Sequence, residues 1–114
     1  MHKADLAATL KALGDSYAAR LPEKMAQLEQ QWRQLSGDNG EGFETLHRMV
    51  HSLTGSGKTF GFPALSEAAY ELEAALNEII AAKAAPDSEQ AAQIERLLAE
   101  LQRVANNAAQ RLSG

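Results

Sequence analysis

This 114-residue sequence predicts an all-α domain: an antiparallel up-down four-helix bundle with a short extra N-terminal helix. Three observations carry the prediction. Aromatic residues make up only 5% of the chain while Ala, Leu, Glu and Gln are abundant, and Ala and unbranched side chains lose little freedom in a helix. Apolar residues recur at three–four spacing over long stretches, and nowhere do β-branched residues alternate as a half-buried strand requires. Short breakers rich in Gly, Pro, Asp and Ser separate the stretches. Helices about 30 Å long joined by loops of a few residues pack most simply as antiparallel neighbours. The whole chain, residues 1–114, is expected to be one domain with one core.

Five helical stretches follow from breakers and periodicity. The first, about 3–13, carries Leu6, Leu10 and Leu13 on one face, is ended by Gly14, and is expected to cover one end of the bundle. The second, about 15–35, is capped by Asp15 or Ser16 and carries Tyr17, Leu21, Met25, Leu28, Trp32 and Leu35. Pro22 inside it predicts a kink or a fresh start. Ser36–Gly40 is a loop. The third stretch is 41–60. The fourth, 63–84, opens on Pro63, a favoured first-turn residue, and carries Leu65, Ala68, Ala69, Leu72, Leu76 and Ile79. The last, 88–112, follows Asp87 and Gln90, which have capping-box spacing; it carries Ile94, Leu97, Leu98, Leu101, Val104, Ala108 and Leu112.

Composition excludes several classes. There is no cysteine, hence no disulfide framework and no thiolate metal site. The start has no apolar leader core and no stretch approaches a membrane span, so a soluble cytoplasmic protein is expected. A net charge of −4 argues against a general nucleic-acid binder, which needs a basic face.

The third stretch has two faces. Phe43, Leu46, Val50, Leu53, Gly57 and Phe60 form a core stripe. At about 100° per residue, His47, His51, Thr54, Gly55 and Lys58 cluster on another face centred about 120° away. His51 is therefore expected at the bundle edge or in solvent. Gly55 and Gly57 each cost a helix interior about 1 kcal/mol relative to Ala. Gly57, on the core stripe, suits close helix–helix packing. Gly55, one turn beyond His51 on the outer face, clears room for another protein to approach that imidazole. Gly-Ser-Gly is also a loop composition, so helix termination near residue 55 is the alternative.

The run His51-Ser52-Leu53-Thr54-Gly55-Ser56-Gly57-Lys58-Thr59-Phe60-Gly61 resembles the phosphorylation-site motif of histidine phosphotransfer (HPt) domains. That motif is a histidine, a leucine two residues on, a glycine four residues on, a small residue near the next turn and a glycine closing the helix. Phe62-Pro63-Ala64-Leu65 and the residues to Glu73 resemble the family's next helix. The resemblance implies a carrier with no autonomous catalytic machinery and no cofactor of its own. His51 would accept a phosphoryl group from a receiver-domain aspartate or a kinase, by analogy on Nε2, and pass it to a response-regulator aspartate. Partners would be receiver domains of response regulators and of a hybrid sensor kinase, which supply the acidic pocket and Mg²⁺. Most such domains carry a lysine three residues after the histidine; here that position is Thr54. Lys58 on the same face could substitute partly, or meet the receiver's acidic pocket, or be an ordinary solvated lysine. Thr54 and Ser56 offer hydroxyls.

Other motifs fail. Gly55-Ser56-Gly57-Lys58-Thr59 ends like a phosphate-binding loop, but GxxxxGK[ST] needs glycine at the position of Ser52. Glu44 and His47 have the spacing of a di-iron helix, but no second such motif exists. His47 reads as a flanking surface residue that contacts phosphate or partner, and it is the second candidate phosphosite after His51. Glu67, Glu71, Glu73 and Glu78 read as a solvated face. Met49, Val50 and Phe62 are expected at the apolar rim of a docking surface. The expected state is a monomer, either free-standing or excised from a larger protein. Two rival readings stand beside the carrier: an HPt-like adaptor that is never phosphorylated, and a metal-binding bundle using His47 and His51.

Overall fold

A computed structural model describes residues 3–35 and 41–110, with side chains over 5–35 and 42–110. Among the described residues there are four helices: α1 (Lys3–Gln34), α2 (Glu41–Thr59), α3 (Pro63–Ala82) and α4 (Ser88–Gln110). Helices α1 and α3 each pack against both α2 and α4, so the four enclose one core. No strand occurs among the described residues, and no described helix is long and apolar enough to cross a membrane. The expected loop at 36–40, the end of the last helix with Leu112, and His2 lie outside the described residues.

Five expected stretches are four helices, because α1 runs unbroken through Gly14 and Pro22. Gly14 does not end a helix. It is buried, and a Cβ there would come within 3.2 Å of the Phe60 carbonyl oxygen, so the missing side chain admits the turn after α2. Asp15 and Ser16, expected as caps, sit mid-helix and bond one turn away: Lys11 Nζ donates to Asp15 at 2.8 Å, and Arg20 donates to Ser16 Oγ at 3.2 Å. The first turns of α1 do not cover the bundle end either. Leu6, Leu10 and Leu13 are 48%, 60% and 49% exposed. Burial starts only at Gly14, and Tyr17, Leu21, Met25 and Leu28 then follow at the four- and three-residue steps that keep one helix face on the core.

On α2, Phe43, Leu46, Val50, Leu53 and Gly57 are buried as their period predicts. Val50 is wholly buried rather than at a surface rim. The helix continues past Gly55 to Thr59 and closes at Gly61, whose φ of +92° is the left-handed conformation that favours glycine. The Phe62 N–H then donates to the Gly57 carbonyl at 2.7 Å, recovering an acceptor of the last turn. A Cβ at Gly57 would lie 3.1 Å from Ser66 N and 3.3 Å from Phe62 O, so α2 and the first turn of α3 meet backbone to backbone.

Pro63 opens α3, and Lys83 in a left-handed conformation closes it. The Asp87–Gln90 capping box at the start of α4 is reciprocal: Gln90 N–H donates to Asp87 Oδ1 at 2.7 Å and Asp87 N–H to Gln90 Oε1 at 3.0 Å.

Candidate functional site

The core stripe of α2 orients its opposite face. Val50 and Leu53 are buried, so His51 between them points outward, with its side chain 67% exposed. Its Nδ1 lies 2.5 Å from Oε1 of Glu73 on α3. Glu73 is not part of a solvated face: its side chain is only 12% exposed. The reason is visible in its spacing. Glu73 follows Ala69 by four residues and precedes Leu76 by three, so it rides on the apolar stripe of α3 at the edge facing α2. That spacing could have singled it out from Glu67, Glu71 and Glu78, whose neighbours at those steps do not place them on the stripe.

Both oxygens of Glu73 are engaged. Thr54 Oγ1 donates to Oε2 at 3.0 Å and lies 3.3 Å from its own Val50 carbonyl. The Thr54 carbonyl in turn accepts the Ser66 hydroxyl, tying the two helices at this level. His47 is not simply a flanking surface residue: its ring is 25% exposed, its Nε2 is buried, and that nitrogen lies 3.6 Å from Glu73 Oε1. The His47 and His51 rings are nearly parallel, 10° apart, with centroids separated by 6.1 Å.

An ionised carboxylate only accepts hydrogen bonds, so Nδ1 of His51 must carry the proton in this pair. In the neutral ring the lone pair then resides on Nε2, the nitrogen away from Glu73. The arrangement can present the Nε2 lone pair on an exposed side chain while the carboxylate holds Nδ1.

The other expected site residues are dispersed around this pair. Gly55 leaves open space: a Cβ built there meets nothing within 4 Å. Lys58 is exposed and lines a groove of about 420 Å³ with Thr54, Ser66 and Tyr70. Ser56 lies on the α1 side, where its hydroxyl pairs with Tyr17 Oη at 2.7 Å. Burial raises the Tyr17 pKa, and the bond to Ser56 offsets this only partly. A second groove, of about 390 Å³, runs between α1 and α2 and is lined by Lys24, Arg48, Met49 and Ser52 among others. No three described His, Cys, Asp or Glu side chains are grouped to hold a metal ion. His47 and His51 instead address one carboxylate oxygen.

The family model of the Hpt domain matches residues 13–107. The chain belongs to the Hpt-domain family. No curated protein and no solved structure matches it. The Hpt match spans the whole of α2 and α3, so His51, Glu73, Thr54 and Gly55 all fall inside it, whereas Leu6 and Leu10 precede it. Membership implies a part in histidine phosphotransfer within two-component signalling, carried by a protein that transfers the group rather than by an autonomous catalyst.

Proposed function

We propose that this Hpt domain is a phosphorelay intermediate whose acceptor is Nε2 of His51. The observation that carries the reading is the His51–Glu73 pair: an exposed imidazole whose Nδ1 is bound by a nearly buried carboxylate. The Nε2 lone pair attacks the phosphorus of a receiver's aspartyl phosphate, the P–O bond to the aspartate breaks, and the carboxylate leaves. The new N–P bond makes the ring cationic while Nδ1 keeps its proton, and Glu73 opposes that charge directly, as a carboxylate does behind a catalytic histidine. The reverse sequence delivers the group to a second receiver aspartate. Phosphoryl transfer depends on positioning and charge neutralisation, so the receiver's acidic pocket and Mg²⁺ complete what this chain lacks.

The surroundings suit such a partner. Lys24 and Arg48 line the groove on one flank of α2, and Lys58, with Glu67, lines the groove on the other, so each flank offers a cation to an acidic partner. Gly55 leaves the approach open. The carrier is proposed to work as a cytoplasmic monomer, serving receivers of a hybrid kinase and of a response regulator. Thr54, at the position where these domains usually carry lysine, acts on Glu73 instead of on the phosphate.

Incubation with phosphorylated receiver domains tests the proposal. The native protein gains an acid-labile, alkali-stable label; His51→Gln gains none, and His47→Gln is still labelled. Label that persists in His51→Gln sinks the assignment. Stable receiver binding without label on the native protein favours the adaptor reading.

A further inference from the structure

Oε1 of Glu73 faces two imidazoles, and the transfer step uses only one. His47 precedes His51 by one turn. Its Nε2 is buried and has no hydrogen-bond partner among the described residues, yet it points at Oε1 from 3.6 Å. A carboxylate offers about four lone-pair sites. His51 Nδ1 and Thr54 Oγ1 occupy two, which leaves Oε1 able to accept again. A lone pair on His47 Nε2 would set two acceptors against each other in a place water does not reach. The carboxylate therefore selects the tautomer of His47 with hydrogen on Nε2.

His51 cannot anchor Glu73 by itself, because its ring is 67% exposed and must stay free to meet a partner. The buried side of the carboxylate has two fixed groups: Thr54 at Oε2 and His47 facing Oε1. We propose that His47 is a second positioning residue, whose Nε2–H keeps Glu73 aimed at Nδ1 of His51 and so keeps the His51 lone pair on Nε2. This role rests on His51 being the phosphoryl acceptor. At 3.6 Å the contact exceeds a direct hydrogen bond, so it steers Oε1 through the N–H dipole.

The test reads the ring tautomers by nitrogen-15 NMR at a pH where both imidazoles are neutral, and the rate of His51 phosphorylation by phosphoramidate. In that reaction the P–N bond of the donor breaks, ammonia leaves, and Nε2 gains the phosphoryl group. In the native protein His51 is held as the Nδ1–H tautomer. His47→Leu lowers that fraction toward the value of a free exposed histidine and slows phosphorylation about fivefold, the size of an ordinary pairwise coupling. His47→Gln, whose amide can donate to the same oxygen, restores both. In a Glu73→Gln background, His47→Leu has no further effect, because the carboxylate through which it acts is gone.

Unchanged tautomer and rate in His47→Leu overturn the proposal, as does an equal loss with and without Glu73. If His47→Leu fails to fold, His47→Asn, whose shorter amide stops short of Oε1, replaces it against His47→Gln. A native protein that phosphoramidate leaves unmodified at His51 sinks the acceptor reading, while the tautomer measurement still decides the role of His47.

Discussion

Gly55 and Gly57 stand two residues apart on α2, yet a methyl group added at Gly57 runs into the backbone of Ser66 and Phe62, while one added at Gly55 meets nothing within 4 Å. Both weaken the helix by a similar amount. Only at Gly57 does internal packing account for it, because the close approach of α3 needs the space. That approach fixes the level at which α2 and α3 meet, and with it the placing of Glu73 against His51. The open space at Gly55 has no use inside the chain, which fits the partner docking proposed there. One helix thus presents a face determined by its own fold and a face proposed for a partner, and each can be tested against the other.

The largest effect is expected on the packed face. Gly57→Ala should destabilise the fold by about 2 kcal/mol, the usual cost of forcing volume into a filled site, despite alanine's better helix propensity. Chemical denaturation measures this, and a stability equal to the native value would break the contrast between the glycines. Next comes the contact that joins the faces. Glu73→Gln keeps the shape but removes the charge that opposes the cationic ring, so phosphoryl transfer should slow about tenfold, equivalent to about 1.4 kcal/mol. Transfer measured from a phosphorylated receiver at equal folded concentration checks this. An unchanged rate would mean that the carboxylate serves only to hold α2 and α3 together.

Gly14 and Glu73 mark how far the sequence could be read. Helix periodicity is legible wherever the apolar stripe is strong: Phe43, Leu46, Val50 and Leu53 are buried, and their burial alone places His51 outside. Gly14 misled because one residue type signals both a helix end and a close approach, and the difference lies in Phe60, 46 residues away. Glu73 misled for a related reason. A charged side chain is read as solvated, and what holds this one near the core is a histidine and a threonine on another helix. Its place on the stripe between Ala69 and Leu76 was legible; its partners were not. Long-range pairing is where local pattern gives out.

A smaller effect tests the α1 flank of α2. Tyr17 is buried, stacks on Phe60 with centroids 4.8 Å apart, and pairs with Ser56. Tyr17→Phe keeps the ring and removes one hydrogen bond, so stability should fall by about 1 kcal/mol, with phosphoryl transfer unaffected. The Tyr17 pKa is raised above its ordinary 10.0, chiefly by burial. Above about pH 10 the unfolded chain loses this proton before the folded one, so the native protein loses stability as pH rises through that range. Tyr17→Phe should lack that component, visible as a flatter stability profile above pH 10 than the native protein shows. Identical alkaline profiles would remove Tyr17 as its source.

The smallest expected change lies on the open face, and it separates folding from docking most sharply. Gly55→Ala adds a methyl group to a helix interior where nothing is within 4 Å, so stability should rise by as much as about 1 kcal/mol from propensity alone. A methyl group is small against a receiver surface, and transfer should fall only modestly. Gly55→Gln adds a long neutral side chain at the same place with a similar helical gain. Stability should again exceed the native value, while transfer from a receiver should drop well below that of Gly55→Ala. Phosphorylation of the same variant by phosphoramidate, a donor small enough to pass the added side chain, should stay near native. If the receiver and the small donor were slowed alike, Gly55 would be acting on the imidazole itself; if neither were slowed, the open space beside His51 would not be where the partner sits.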